Sequence, residues 1–334
     1  MKTRRIGPFD VGAIGLGCMS LSHAYGEPPA DADAARLLHH ALDVGYTLLD
    51  TASVYGLGHN ETLIGQTLKP RRDEFILASK CGLGPNAEGR RELTGRPEDI
   101  RRTCEDSLRR LQVEIIDLYY LHRLDRRVPV EDSVGTLGDL VRAGKIRAVG
   151  LSEVGAETLR RAHAEYPIAA LQSEYSLWTR NPEVATLSAC EDLGIAFVAF
   201  SPVGRGLLTG TPPIPDRFRS GDIRTDMPRF HGEAWAANLK LQDQLSGIAA
   251  RAGCTPAQLA IAWTLSRGAH VLPIPGTGNL DHMVENAEAD AVTLSPTTLE
   301  ELETVINART VTGARYSAAA QATVDTEEVP PEER

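Results

Sequence analysis

The chain has 334 residues, of which 42% are hydrophobic and 24% are charged, and its formal net charge is −10. This composition supplies apolar side chains for a large core and excludes disorder for most of the chain. The acidic balance disfavours a nucleic-acid or anionic-membrane partner, since both require a clustered basic surface. We therefore expect a small, neutral substrate.

The five cysteines are widely spaced and include no CxxC pair. This pattern predicts neither a disulfide framework nor a zinc site, and we expect no metal. The amino terminus lacks an apolar run of signal-peptide length, and no segment approaches the roughly 20 apolar residues that span a bilayer. We therefore expect a cytoplasmic protein that is neither secreted nor inserted into a membrane.

Short apolar runs alternate with longer amphipathic segments, a pattern typical of parallel strands joined by helices. The eight predicted strands are 13–17, 46–49, 75–79, 116–121, 146–150, 169–172, 195–200 and 271–274. The predicted helices are 31–44, 60–68, 97–111, 132–143, 155–164, 183–193, 235–266 (two helices broken near Pro256) and 279–288. Such repeats leave two α/β architectures, a closed barrel or a doubly wound open sheet. The count of eight favours a single (β/α)8 TIM barrel over residues 1–308.

Three predicted connections are too long to be simple turns: 81–96, 123–131 and 203–233. Each follows a strand and so lies on the carboxyl-terminal face of a barrel, where active sites are assembled. A last helix is predicted at 296–307. Residues 309–334 end in an acidic, proline-bearing segment with few large apolar groups, so we expect a flexible carboxyl-terminal tail.

Four titratable residues stand at or just after the ends of successive predicted strands: Asp50, Tyr55, Lys80 and His122. Taken singly, a lysine or histidine there is more often a loop residue in an ion pair, and Asp50 is equally compatible with a turn cap. Taken together, at one edge of a barrel, the four would converge on one volume. This convergence favours a catalytic site.

Several sequence blocks, in this order, resemble the aldo-keto reductase superfamily: DTASVYGLGHNETLIG at 50–65, SKCG at 79–82, DLYYLHR at 117–123, GLSE at 150–153, LQSEYSLW at 171–178, FSPVGRGLLTG at 200–210 and PIPGT at 273–277. The similarity extends over about residues 5–290. It is greatest to the bacterial and plant branch that is related to the channel β-subunits. The resemblance implies a nicotinamide-dependent reduction of an aldehyde or ketone to an alcohol.

The resemblance makes Tyr55 the general acid, Lys80 and Asp50 its electrostatic partners, and His122 a donor that orients the carbonyl group. Hydride delivery to a carbonyl carbon builds negative charge on the oxygen, and a phenol within hydrogen-bond reach can protonate that oxygen. A free phenol has a pKa of about 10 and is a reluctant acid near neutrality. A neighbouring ammonium favours the phenolate, which predicts a lowered pKa for Tyr55.

For the cofactor, the resemblance implies that Ser152 and Gln172 bind the nicotinamide carboxamide, whereas Glu153 replaces the usual asparagine. The residues implied in binding the rest of the dinucleotide are Ser201, Gly204, Gly206, Leu207, Gly276, Thr277, His282, Glu285 and Asn286. Relatives that hold the 2′-phosphate usually have lysine or arginine among the positions of Gly276, Gly278 and His282. This chain has neither lysine nor arginine there. The resemblance implies NADP(H), which the family as a whole favours, and we expect weaker discrimination against NAD(H) than is usual.

The candidate substrate-pocket residues are Tyr25, Val54, Arg123 and Trp178. Two roles are open for Arg123, which is suited to bind a substrate carboxylate or to pair with Asp125. One rival function is a regulatory barrel subunit with secondary reductase activity, and the intact set of four titratable residues disfavours it. Another is a barrel lyase or metal hydrolase, which the absence of a His-x-His motif disfavours.

Overall fold

A computed structural model of the chain describes residues 1–85 and 91–330. The strands within these residues are β1 (Thr3–Ile6), β2 (Phe9–Gly12), β3 (Leu16–Gly17), β4 (Leu48–Asp50), β5 (Ile76–Cys81), β6 (Leu83–Pro85), β7 (Arg91–Leu93), β8 (Ile116–Leu121), β9 (Ile146–Ser152), β10 (Ile168–Glu174), β11 (Ala196–Phe200) and β12 (Val271–Ile274). Eight of them form one parallel sheet in the order β12-β11-β10-β9-β8-β5-β4-β3. A parallel bridge between Gly17 and Gly276 joins the two edges. The predicted (β/α)8 barrel is confirmed.

The helices of the described residues are α1 (Asp31–Asp43), α2 (His59–Leu68), α3 (Pro97–Leu111), α4 (Val130–Arg142), α5 (Ala156–Glu165), α6 (Thr186–Leu193), α7 (Gly232–Ala252), α8 (Pro256–Ser266), α9 (Leu280–Glu288), α10 (Pro296–Val305) and α11 (Ala318–Gln321). The segment predicted at 235–266 is two helices, as expected, and a capping box formed by Thr255 and Gln258 starts the second one. None of these helices is long and apolar enough to cross a membrane.

Neighbouring residues of each barrel strand face two different cores. In β4, Leu49 packs in the core that contains the surrounding helices, while Leu48 packs in the core inside the barrel. In β8, Tyr119 likewise packs in the core that contains the surrounding helices, and Leu118 packs in the core inside the barrel. Because both faces of a parallel sheet are covered, its strands consist of nearly continuous apolar runs. That property made the strands recognisable in the sequence.

Two short hairpins were missed by the sequence analysis. Strands β1 and β2 pair antiparallel, and Ile6, Phe9 and Val11 pack in the core inside the barrel. Strands β6 and β7 form the second hairpin, in the connection predicted as a loop at 81–96. The strands have four residues in the first hairpin and three in the second. Such short strands do not show a recognisable alternation of apolar and polar residues.

The carboxyl-terminal segment packs on the barrel over its described residues, 309–330. The Asp325 amide donates to the Glu153 carbonyl at 2.9 Å, and Asp325 forms a parallel bridge with Val154. The Thr158 hydroxyl donates to the Asp325 carboxylate at 2.6 Å. Composition suggested a flexible tail, and it did not show these contacts, because their partners lie directly after β9 and in α5, far away in sequence. Residues 331–334 lie outside the described residues, and the boundary at 308 stays a prediction.

Gly65 of α2 allows that helix to lie directly against the end of α3. A Cβ at this position would lie 2.5 Å from the Arg110 carbonyl oxygen and 2.6 Å from the Leu111 carbonyl carbon. Both are backbone atoms, so α2 and α3 would have to separate. We predict that Gly65→Ala lowers the free energy of unfolding by about 1–3 kcal/mol, the usual cost of overpacking.

Gly247 of α7 provides the matched control, because a Cβ there meets only the end of the Arg251 side chain, at 3.6 Å. Gly247→Ala should be neutral or stabilising by about 0.5–1 kcal/mol through helix propensity. Denaturant unfolding of both variants and the wild type measures the difference. Equal stability of the two variants would show that the α2–α3 approach does not need a glycine.

Candidate active site

The ammonium group of Lys80 is buried, with no exposed surface, at the carboxyl-terminal end of the barrel. Lys80 Nζ of β5 donates to Asp50 Oδ1 of β4 at 2.5 Å and to the Thr51 carbonyl oxygen at 2.8 Å. Gln172 Nε2 of β10 donates to Asp50 Oδ2 at 2.7 Å. Burial acts to lower the pKa of Lys80, but the charge of Asp50, the neighbouring Tyr55 and the hydrogen bonds to both together raise that pKa. Lys80 is therefore charged at neutral pH.

Tyr55 lies next to this ion pair. Lys80 Nζ donates to the Tyr55 hydroxyl oxygen at 3.5 Å, and the His122 ring stands edge-on to the Tyr55 ring with centroids 5.8 Å apart. Burial raises the pKa of the Tyr55 phenol, while the Lys80 charge opposes this shift without reversing it. The expectation that Lys80 lowers the pKa of Tyr55 below its usual value is wrong, because burial shifts this pKa more than the ammonium charge does. The phenol keeps its proton at neutral pH.

The loop that carries Tyr55 is held by two buried polar residues at the start of α2. Asn60 Oδ1 accepts from the Thr51 hydroxyl at 2.6 Å, directly after β4. Glu61 Oε1 accepts from the Ser79 hydroxyl of β5 at 2.5 Å. Asn60 and Glu61 have no exposed surface. These two residues therefore fix the Tyr55 loop relative to the strands that carry Asp50 and Lys80.

A cavity of about 1410 Å³ opens at this end of the barrel. Asp50, Tyr55 and His122 line it, whereas Lys80 lies behind them. The structure therefore brings the four predicted catalytic residues together. Three of them line the cavity. Lys80 does not line it but contacts two of the lining residues, Asp50 and Tyr55.

Most of the residues predicted to bind the cofactor line the same cavity: Ser152, Gln172, Ser201, Gly206, Gly276, Thr277, His282, Glu285 and Asn286. Gly204 and Leu207 do not line it. A Cβ on Gly204 would lie 3.0 Å from the Leu208 and Trp178 side chains, and Leu207 is buried. A continuous row of small and polar residues from the catalytic group to α9 fits an extended dinucleotide.

Three of the four candidate substrate residues, Tyr25, Val54 and Arg123, line the cavity. The prediction for Trp178 is corrected, because its indole is buried against Phe230 with ring centroids 5.3 Å apart and is not part of the lining. An aromatic residue after a strand packs equally well towards the cavity or towards the surrounding loops. Sequence alone does not distinguish these two orientations.

The carboxyl-terminal segment supplies lining residues that the sequence analysis missed: Tyr316, Ser317, Ala320 and Thr323. They stand beside a buried group of charges formed by Glu153, Glu174, Arg205 and Arg315, called here the four-charge cluster. Glu153, at the position of the usual asparagine, was the one sequence signal for this arrangement. A buried carboxylate requires a cation, but the sequence did not show which one.

Arg315 joins the two carboxylates of the four-charge cluster. It donates from Nη2 to Glu153 Oε2 and from Nε to Glu174 Oε2, the latter at 2.9 Å. Arg205 Nη2 donates to the same Glu174 oxygen at 2.5 Å. Burial acts to raise the pKa of Glu174, but the charges of Arg205 and Arg315 lower it to about 2. Glu174 thus partly neutralises the charge of Arg205, which stands between Gly204 and Gly206 of the predicted cofactor segment.

Comparisons with known proteins agree with this fold. The sequence matches the model of the aldo/keto reductase family over residues 13–307. It is 42% identical over 326 residues to the aldo-keto reductase yakc [NADP(+)] of Schizosaccharomyces pombe, with 96% of each chain covered. It is 41% identical over 309 residues to the probable aldo-keto reductase 1 of Glycine max, covering 92% of this chain and 89% of that protein.

Among solved structures, the glycerol dehydrogenase AKR11B4 from Gluconobacter oxydans superposes with a TM-score of 0.84. The two sequences are 28% identical, and 98% of each chain is covered. The chain therefore belongs to the aldo/keto reductase family. Membership in this family makes it an oxidoreductase.

Removing Arg315 tests the four-charge cluster. Arg315→Met leaves Glu153 buried without its cation, and we predict a loss of about 3–5 kcal/mol in the free energy of unfolding at pH 7. Since the folded-state pKa of Glu174 lies below its usual 4.5, its stabilisation is present above pH 4.5 and is lost as pH falls towards 2. The difference between variant and wild type should therefore shrink in acid.

Arg309→Met is the matched control, because Arg309 lies in the same segment but is exposed. Denaturant unfolding at pH 7 and at pH 3 measures all three proteins. Equal unfolding midpoints for the two variants at pH 7 would contradict a stabilising role for Arg315.

Proposed function

We propose that the protein reduces an aldehyde or ketone to an alcohol with a nicotinamide cofactor. The position of Lys80, hydrogen-bonded to Asp50 and to Tyr55 at the base of the cavity, carries this proposal. Membership in the aldo/keto reductase family supports it. The proposed substrate is a small carbonyl compound that enters the cavity beside Tyr55 and His122.

A bound reduced nicotinamide would supply a hydride, two electrons and a proton, to the carbonyl carbon. As the C=O π bond breaks, negative charge develops on oxygen, and Tyr55 transfers its hydroxyl proton to that oxygen. The charge left on Tyr55 is stabilised by the Lys80 ammonium, which already faces the phenol oxygen. Burial keeps Tyr55 protonated beforehand, so the acid is ready when the substrate binds.

His122 has a separate role in this proposal. Its ring stands edge-on to the Tyr55 ring, and both residues line the cavity. A ring nitrogen of His122 can donate to the same carbonyl oxygen and so hold it beside the Tyr55 hydroxyl. Asp50 does not contact the substrate in this scheme, because its oxygens accept from Lys80 and Gln172.

We propose NADP(H) as the cofactor, with NAD(H) as a weaker alternative. Ser152, the last residue of β9, and Gln172 of β10 would hold the nicotinamide, and Asn286 of α9 would lie towards the adenine. The name of the Schizosaccharomyces pombe relative includes NADP(+), which supports this choice. His282, in the first turn of α9, is exposed and lines the cavity. Its imidazole can carry a positive charge, so we assign it as the partner of the 2′-phosphate.

Loss of the Tyr55 hydroxyl tests the proposed acid. We predict that Tyr55→Phe lowers kcat for reduction of a simple aldehyde by a factor of roughly 10² to 10⁴, because only the proton donor is removed. NADPH binding, followed by fluorescence titration, should be unchanged. Tyr166→Phe is the control, since Tyr166 follows α5 and does not line the cavity. Undiminished turnover in Tyr55→Phe would remove Tyr55 from the mechanism.

A permanent charge at position 282 tests the cofactor assignment. We predict that His282→Arg raises the ratio of kcat/KM with NADPH to kcat/KM with NADH by roughly 10-fold, since a guanidinium binds phosphate through paired donors. Position 278 is less suitable, because a Cβ on Gly278 would lie 3.1 Å from Pro29 Cδ.

Leu280→Arg is the control for position 282, because it adds the same charge to the start of α9 at an exposed residue outside the cavity lining. An unchanged ratio in His282→Arg, or an equal rise in Leu280→Arg, would show that the 2′-phosphate does not lie near residue 282.

A further inference from the structure

Three arginines line the cavity among the described residues: Arg123, Arg205 and Arg224. Arg205 donates to the Glu174 carboxylate at 2.5 Å, and Arg224 donates to the Asp222 carboxylate at 2.6 Å. Arg123 forms no ion pair with a carboxylate of the described part of the chain. It is thus the lining arginine whose charge the surrounding described residues do not neutralise.

From the sequence, Asp125 was one possible partner of Arg123. In the structure, the Asp125 carboxylate pairs with Arg127 instead. Arg127 donates from Nε to Asp125 Oδ1 at 2.9 Å and from Nη2 to Asp125 Oδ2 at 3.0 Å. Glu92, the acidic lining residue of β7, accepts from Arg127 Nη1 at 2.9 Å. Both nearby carboxylates therefore pair with Arg127, and the charge of Arg123 remains available to a ligand.

Arg123 is held in place by polar contacts that leave most of its donors unused. Its Nη1 donates to the His122 carbonyl oxygen at 2.9 Å and to the Ser152 hydroxyl at 3.4 Å. Its Nε and Nη2 donate to no atom of the described residues. Burial raises the pKa of Tyr55, and the Arg123 charge opposes this shift, although less than the Lys80 charge does. A half-buried guanidinium with donors unused among the described residues, in the same cavity as Tyr55, is suited to bind an anion.

We propose that the substrate is an oxo acid, a carbonyl compound that also carries a carboxylate, and that Arg123 binds this carboxylate while Tyr55 faces the carbonyl oxygen. This proposal rests on the proposed carbonyl reduction and names its substrate class. The carboxylate takes no part in the electron transfer, which is unchanged. The proposal departs from the neutral substrate that the net charge suggested, because one local cation decides the binding of a small anion more than the distant surface charges do.

The test compares 4-oxobutanoate with its methyl ester, which has the same aldehyde and nearly the same shape but no charge. We expect the wild type to favour the acid by roughly 10- to 100-fold in kcat/KM, the contribution of one charged hydrogen-bonded pair. Arg123→Gln should lose this preference, so that the ratio of kcat/KM for the acid to kcat/KM for the ester falls towards one, mainly through a higher KM for the acid. Any effect of Arg123 on Tyr55 or Ser152 applies to the acid and the ester alike and cancels in this ratio. Arg123→Lys should retain part of the preference.

Arg126→Gln is the matched control, because it removes a guanidinium three residues away that does not line the cavity and that pairs with Asp325 rather than with Asp125 or Glu92. It should keep the preference for the acid. Acids of two, three and five carbons, with their methyl esters, extend the comparison to other distances between the two groups.

Equal kcat/KM for acid and ester at every length, or a preference that persists in Arg123→Gln, would overturn the oxo-acid proposal and leave carbonyl reduction intact. Absence of turnover with every aldehyde, acid or ester, would overturn the proposed function and this inference with it.

Discussion

The structure depends on the burial of one ammonium group where the barrel strands end. Lys80 has no exposed surface, and an unpaired charge there would cost several kcal/mol. Asp50 and the Thr51 carbonyl compensate for that cost, and Gln172 in turn holds Asp50. Strands β4, β5 and β10 must therefore keep their register, because a shift of one residue would turn these side chains into the wrong core.

The same burial decides the state of Tyr55. A phenol near an ammonium in water would lose its proton more readily, but burial raises the pKa of Tyr55 in spite of Lys80. In the proposed mechanism, the ammonium therefore acts mainly after the proton has left, when the phenolate needs a counter-charge. The same physical rule applies to the four-charge cluster, in which each buried charge has a partner of opposite sign. Arg123 has no such partner among the described residues, and the proposed substrate carboxylate would take that place.

The barrel and the convergence of the four titratable residues could be predicted from the sequence, because position along a strand fixes which edge of the sheet a residue reaches. Other features could not, since they depend on pairs distant in sequence. Arg315 meets Glu153 across 162 positions, and no local pattern near either residue shows the contact. Trp178 was placed wrongly because periodicity ends with the strand and leaves the direction of a loop side chain undetermined.

Burial keeps the Tyr55 phenol protonated, and in the proposed mechanism this phenol is the proton donor. The most direct measurement is the single-turnover rate of NADPH oxidation by a saturating aldehyde between pH 6 and pH 11, in the wild type and in Tyr55→Phe. We predict a wild-type rate that is constant through neutrality and falls only above pH 10, and a slow, pH-independent rate in the variant. A decline centred near neutral pH, or the same profile in both proteins, would contradict it.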